Sequence, residues 1–174
     1  MVNVFLIGYR GSGKTTVAAA LAERLGWPWI DADAELERRA GKTIKQIFAD
    51  QGELAFRDLE SAVLSDLVKL DRNIMALGGG VVLRESNRRL LAGRGEVVWL
   101  QASPEMLLQR ISGDATTAER RPNLTGQGGL AEIRTLLAER TPIYAACADL
   151  TIDAERRSVN EIARQIIEEL QLEE

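Results

Sequence analysis

The stretch Gly8-Tyr9-Arg10-Gly11-Ser12-Gly13-Lys14-Thr15 restricts the fold of this chain more than any other. It follows a short apolar run, residues 2–7, and opens a segment in which Val17, Leu21 and Leu25 recur every four residues. Strand, glycine loop and amphipathic helix, in that order, describe a βα unit whose turn cradles phosphate. Glycines let successive backbone N–H groups converge on an anion at a helix N-terminus, where the helix dipole also favours negative charge. The spacing G-x-x-x-x-G-K-[ST] assigns the cradle to Gly11, Ser12 and Gly13, with Thr16 completing the nucleotide set. Lys14 then reaches the β- and γ-phosphates, and the Thr15 hydroxyl is placed for Mg²⁺, a hard cation that prefers oxygen ligands. A glycine-rich turn without a ligand is the bland alternative, but loop, preceding strand and following helix all agree on a nucleoside triphosphate.

Several classes of function fall away on composition. A net charge of −4 with a pI near 5.1 offers no basic face for nucleic acid, so arginines in a site must act locally. No apolar run approaches the 18 or so residues of a membrane helix. The lone Cys147 cannot close an internal disulfide, and the N-terminus reads as a core strand rather than a leader, so a cytoplasmic protein is expected, and a monomer. The chain has no histidine, which removes imidazole from every base, ligand or triad role. Phosphoryl transfer tolerates that, because its catalysis rests mostly on positioning and charge neutralisation. With 174 residues, 45% of them hydrophobic, and no linker-like stretch, residues 1–174 read as one domain.

Further along, residues 27–30 form a brief strand ending in Asp31-Ala32-Asp33. Carboxylates at a strand's carboxyl end lie where open α/β sheets bind ligands, so one or both face metal or substrate. The plainer readings are a helix N-cap for Asp33 and a solvated turn for Asp31. Helical pieces over 34–40 and 44–49 are punctuated by Gly41 and Gly52, and 53–70 reads as a longer helix with Phe56, Leu59, Val63 and Leu67 on one stripe. Arg57 and Glu60 lie beside that stripe. From spacing alone, such an i, i+3 pair is better read as a surface ion pair than as a carboxylate orienting a ligand-binding arginine. A third strand, residues 73–77, runs into Gly78-Gly79-Gly80, where three glycines point to close approach of the backbone to another group rather than merely a flexible bend.

Residues 84–91 follow as a helix and 96–100 as a fourth strand, and Ser103-Pro104 starts another helix with an N-cap and an N1 proline. From about 112 to 129 the hydrophobic period vanishes around Arg120-Arg121-Pro122, as in a mobile lid over a triphosphate site. A helix over 130–146 contains Pro142, which should bend it, and residues 150–152 make a fifth strand. Ser158 and Glu161 form a capping box for the last helix, with Ile162, Ile166 and Leu170 as its stripe. Strands alternating with helices and joined by right-handed crossovers give a parallel sheet covered on both faces.

The phosphate loop, Asp31-Ala32-Asp33, Phe56-Arg57-Asp58-Leu59-Glu60, Gly78-Gly79-Gly80, Arg121-Pro122 and Arg140-Thr141-Pro142-Ile143-Tyr144, in this order, resemble the shikimate kinase family over nearly the whole chain. The resemblance implies an α/β P-loop kinase fold, similar to nucleoside monophosphate kinases. It also implies a five-stranded parallel sheet of order 2-3-1-4-5 and transfer of the γ-phosphate of ATP to the 3-hydroxyl of shikimate. It implies that Asp33 binds the acceptor hydroxyls and serves as base, and that Asp31 lies near Mg²⁺. Arg57 and Arg140 would grip the acceptor carboxylate, and Glu60 would orient Arg57, against the reading from spacing. The backbone of Gly79 and Gly80 would meet a ring hydroxyl, Arg121 would reach the ATP phosphates, and Arg110 and Arg157 would flank the adenine. Two positions depart from the family pattern. Tyr9 stands where a small residue or proline is frequent, and Ala154 stands where the adenine-binding loop usually has threonine.

Chemistry favours such an acceptor independently: a small hydroxylated acid needs a cationic fork, which arginine supplies bidentately, and a carboxylate to accept from its hydroxyls. An aromatic content of 5% offers little for stacking a base. The rival readings are a P-loop kinase of another small acceptor, such as gluconate or a nucleoside monophosphate, and a nucleotide-dependent switch that transfers nothing.

Overall fold

The four residues of the first strand are all fully buried, because helices cover both faces of the sheet that contains it. In the computed structural model, which describes residues 2–113 and 128–173, the chain runs β1 (Val4–Ile7), α1 (Lys14–Leu25), β2 (Trp29–Asp31), α2 (Ala32–Ala40), α3 (Ile44–Leu67) and β3 (Ile74–Ala76). A 3₁₀ turn (Val81–Leu83) leads to α4 (Glu85–Leu91), β4 (Glu96–Gln101), α5 (Pro104–Gly113), α6 (Gly129–Cys147), β5 (Leu150–Asp153) and α7 (Val159–Glu169). The strands pair in parallel in the order β2-β3-β1-β4-β5, the order the family resemblance implies. Val4 faces Ile74 on one side and Glu96 on the other, so β1 is central and delivers its carboxyl end to the middle of the sheet edge.

Side chains on β1 alternate between two cores. Phe5 and Ile7 pack with Phe56, Val63, Met75, Trp99 and Tyr144, beneath α3 and α6. Val4 and Leu6 pack with Val17, Leu21, Val98, Ile162 and Ile166, beneath α1 and α7. Full burial of each such side chain stabilises the fold by roughly 1.5–3 kcal/mol. Among the described residues, no helix is long and apolar enough to cross a membrane.

Several local expectations change. Asp31, not Asp33, caps α2: its Oδ1 accepts from the amides of Asp33 at 2.9 Å and Ala34 at 3.1 Å, which starts the helix two residues early and leaves Asp33 in its first turn. The helical pieces either side of Gly52 form one element, α3, broken at Gly52 itself (φ 85°, ψ 174°), and Thr43 with Gln46 supplies an unanticipated capping box at its start. Helix α3 ends at Leu67 rather than residue 70, and α6 runs on through Pro142 to Cys147. The capping box of Ser158 and Glu161 is present. Arg120, Arg121 and Pro122, with most of the expected lid at 112–129, lie outside the described residues.

Candidate active site

The carboxyl ends of β1, β2 and β3 open on one cleft of about 490 Å³, within the size range of small-molecule sites. Its wall brings together Gly11, Ser12, Gly13, Lys14, Thr15, Thr16, Asp31, Asp33, Gly79, Arg110 and Arg157, residues drawn from five parts of the chain. Four basic groups line it (Arg10, Lys14, Arg110, Arg157) against three acidic ones (Asp31, Asp33, Glu37), so the cleft leans positive although the chain is acidic. That local balance is what a polyphosphate requires.

The phosphate end is built by the loop between β1 and α1. Gly13 caps α1 in a left-handed conformation (φ 94°, ψ 17°) that other residues adopt only under strain, and it offers no side-chain cap. The first-turn amides of α1 are therefore left for an anion. Lys14 folds back over the loop, its Nζ donating to the carbonyls of Gly8 at 2.7 Å and Tyr9 at 2.9 Å. The Ser12 hydroxyl is buried inside the loop and, among the described residues, finds no hydrogen-bond partner.

Asp31 has two tasks. While Oδ1 caps α2, Oδ2 accepts from the Thr15 hydroxyl at 3.0 Å, which sets a carboxylate and a hydroxyl oxygen side by side at the cleft wall. Among the described residues, no group of three or more His, Cys, Asp or Glu could hold a metal by itself. Mg²⁺ does not need one, since it takes one or two protein oxygens and completes its shell with phosphates and water. The Thr15–Asp31 pair fits that demand.

At the end of the cleft beside Ala154, Arg110 joins two segments. Its Nη2 donates to the Ala154 carbonyl at 2.8 Å, and its Nη1 lies 3.3 Å from the Ser12 carbonyl and 3.4 Å from that of Gly11. Arg157, bonded to Gln165, stands across the same space beside Val159 and Ile162.

Beside the phosphate loop, Gly79 and Gly80 are pressed by two arginines. A Cβ on Gly80 would lie 2.5 Å from Nη2 and 2.6 Å from Cζ of Arg57, and a Cβ on Gly79 would lie 3.3 Å from Nη1 of Arg140. Two guanidinium groups therefore press on consecutive glycines, which is the close approach the glycine run suggested. Arg57 donates to Glu60 Oε1 at 2.9 Å, and the carboxylate is only 5% exposed. The surface ion pair expected from spacing is thus a largely buried one, Glu60 buried and Arg57 11% exposed, because α3 packs this face beneath the glycine turn. Arg57 also stacks on Phe56, 5.1 Å from the ring centroid. Arg140 is 5% exposed and lies 5.5 Å from the Tyr9 ring centroid. Among the described residues, no carboxylate or carbonyl accepts from its guanidinium, a costly state for a cation with five donors unless a ligand completes it. Glu60 offsets one of the two positive charges, so the pair remains electropositive; Glu53, 3.5 Å from Arg57, is half exposed and screened.

Three contributors escaped the sequence reading. The Tyr144 hydroxyl donates to the Gly79 carbonyl and so fixes the glycine turn from α6. Glu132, fully buried, binds Arg10 of the phosphate loop at 3.3 Å. Glu37 lines the cleft while accepting from the Ile44 amide at 3.0 Å. For Glu132 a signal was present: it shares a four-residue spacing with Leu136, Arg140 and Tyr144, which puts two charges on the inward stripe of one helix.

Known proteins share the sequence and the fold of this chain. A family model described as "Shikimate kinase" matches residues 10–171. A shikimate kinase of Rhodopirellula baltica is 45% identical over 165 residues, covering 95% of this chain and 88% of its own. One from Symbiobacterium thermophilum is 44% identical over 170 residues, covering 98% and 97%. Among solved structures, the shikimate kinase of Acinetobacter baumannii in complex with shikimate superposes with a TM-score of 0.91 at 36% identity, over 98% of this chain and 93% of that one. A family match across nearly the whole length, on a phosphate-loop sheet of the same order, leaves one conclusion: the chain belongs to the shikimate kinase family.

Proposed function

We propose that the protein transfers the γ-phosphate of ATP to the 3-hydroxyl of shikimate, giving shikimate 3-phosphate and ADP, a step toward the aromatic amino acids. The observation that carries this reading is the pair of guanidinium groups at Gly79 and Gly80, Arg140 buried and Arg57 mostly so, with no carboxylate or carbonyl among the described residues accepting from Arg140, beside a phosphate-loop cleft. A planar carboxylate on a small acceptor matches that fork.

The family resemblance and the residues' positions support the following roles. Amides of the loop from Gly11 to Thr16 hold the triphosphate, and Lys14 neutralises charge that develops on the transferred group. Thr15 and Asp31, side by side at the cleft wall, would hold Mg²⁺. When bound, the ion would supply neutralisation of negative charge on the phosphates. Asp33 accepts the acceptor hydroxyls, aligns the attacking one and takes its proton. Arg57, oriented by Glu60, and Arg140 hold the acceptor carboxylate, and the backbone of Gly79 and Gly80 meets a ring hydroxyl. Arg110 and Arg157 flank the adenine. Arg121, outside the described residues, reaches the phosphates, a role that rests on the family resemblance. We take the enzyme to act as a monomer in the cytoplasm.

The test is ADP release measured with ATP and Mg²⁺ across shikimate, gluconate and nucleoside monophosphates. Release that depends on shikimate supports the proposal. Release that depends on another acceptor, or nucleotide binding without turnover, rejects it.

A further inference from the structure

Tyr9 belongs by position to the phosphate loop, yet its side chain turns away from the nucleotide end. The ring is buried against Ala102, Leu107 and Ile133, and the Arg140 guanidinium lies over it. Its own carbonyl accepts from Lys14 at 2.9 Å, so one residue touches both the lysine aimed at the phosphates and the arginine aimed at the acceptor. Burial pushes the Tyr9 phenol above its ordinary range, with Arg10 and Arg140 opposing, so the ring stays neutral and keeps its electron-rich face at working pH.

We propose that Tyr9 is a positioning residue for the acceptor: its ring fixes the Arg140 guanidinium against Gly79, and so sets affinity for the acceptor's carboxylate rather than for the nucleotide. The opposite arginine has the same support in Phe56, which stacks under Arg57, but Arg57 also has Glu60. Arg140 lacks a carboxylate of that kind among the described residues, so the aromatic face carries more of its placement. The next loop residue reinforces the arrangement. Arg10 reaches Glu132, eight residues before Arg140 on α6, so the loop grips the helix at two points two turns apart. A cation over a partly desolvated ring is held by its quadrupole and loses fewer rotamers when the anion arrives.

This inference rests on Arg140 being a carboxylate ligand, and the experiment separates the two ideas. Dissociation constants for shikimate and for ATP are measured by calorimetry for the full chain, Tyr9→Leu, Tyr9→Phe, Arg140→Ala and the Tyr9→Leu/Arg140→Ala double variant, each with its thermal midpoint. Tyr9→Leu should weaken shikimate binding about three- to ten-fold with ATP binding unchanged. Tyr9→Phe should restore it, and Tyr9→Leu should add less than two-fold once Arg140 is absent. If the leucine variant does not fold, Tyr9→Met, flexible and without a π face, carries the same expectation. Shikimate affinity unchanged in Arg140→Ala would remove the underlying reading. A loss in Arg140→Ala with none in Tyr9→Leu, an equal loss for both ligands, or an undiminished effect in the double variant would overturn the role of Tyr9 alone.

Discussion

Replacing Gly80 with alanine should damage acceptor binding while sparing the nucleotide. Gly80 has φ −104°, which alanine adopts without strain, so the whole effect comes from the added methyl. It would sit 2.5 Å from Arg57 Nη2 and 2.6 Å from Cζ, well inside contact distance. Because the obstacle is the far end of a flexible side chain, the backbone stays and Arg57 swings aside, loosening its 2.9 Å bond to Glu60. One charge-assisted contact to the acceptor carboxylate is worth roughly 1.5–3 kcal/mol. Shikimate affinity should therefore fall about 10- to 150-fold, at a tenfold change per 1.4 kcal/mol. Stability should fall by only about 1–2 kcal/mol, since Arg57 keeps its exposed neighbour Glu53. Gly79→Ala is the contrasting case: its methyl would lie 3.4 Å from the Arg10 amide and the Gly8 carbonyl as well as near Arg140, so it presses on the phosphate loop and should weaken both ligands. Separate calorimetric titrations with shikimate and with an ATP analogue read the difference. An unchanged shikimate affinity in Gly80→Ala, or an equal loss of both ligands, would refute the placement of Arg57.

Other expectations follow from the same site. Lys14→Ala should leave the fold intact, as the side chain supports no core packing, and should abolish turnover in a steady-state assay; near-normal rates would remove the phosphate-loop assignment. Asp33→Asn should lower kcat by about 10²-fold or more with ATP affinity unchanged, and a change confined to KM for shikimate would make Asp33 a binding group only. The Arg38 and Arg39 guanidiniums hold the Glu35 carboxyl at about 2, below its usual 4.5. The ionised form is favoured in the fold, so this contribution is complete above about pH 4.5 and disappears as pH falls toward 2. The pair is solvent-screened, so it is worth less than about 1 kcal/mol, and urea unfolding of Glu35→Gln between pH 5 and 3 should show a shallower loss of stability than the unsubstituted chain. An identical slope would contradict the assignment.

What could be read in advance was whatever short-range spacing encodes. The phosphate loop is legible because eight consecutive residues specify both the turn and its ligand, and the sheet follows from strands that alternate with helices. The place of the acid pair at the cleft by the end of β2 was legible, but not which of the two caps α2: either aspartate can cap a helix, and only the register of α2 decides that Asp31 does. Arg57 and Glu60 illustrate a different limit. An i, i+3 pair has the same spacing on a surface as under a glycine turn, and its burial depends on residues 20 further along the chain. Arg10 and Glu132 are 122 residues apart, so no local pattern joins them, although two charges on the inward stripe of α6 mark where to look.

The most direct test of the central assignment is ³¹P and ¹³C nuclear magnetic resonance of the product formed from ATP, Mg²⁺ and shikimate. Phosphate attached to the 3-hydroxyl, formed in step with ADP, is the predicted result. Phosphate on another hydroxyl, or ADP formed with shikimate unmodified, would contradict the way this site is held to orient its acceptor.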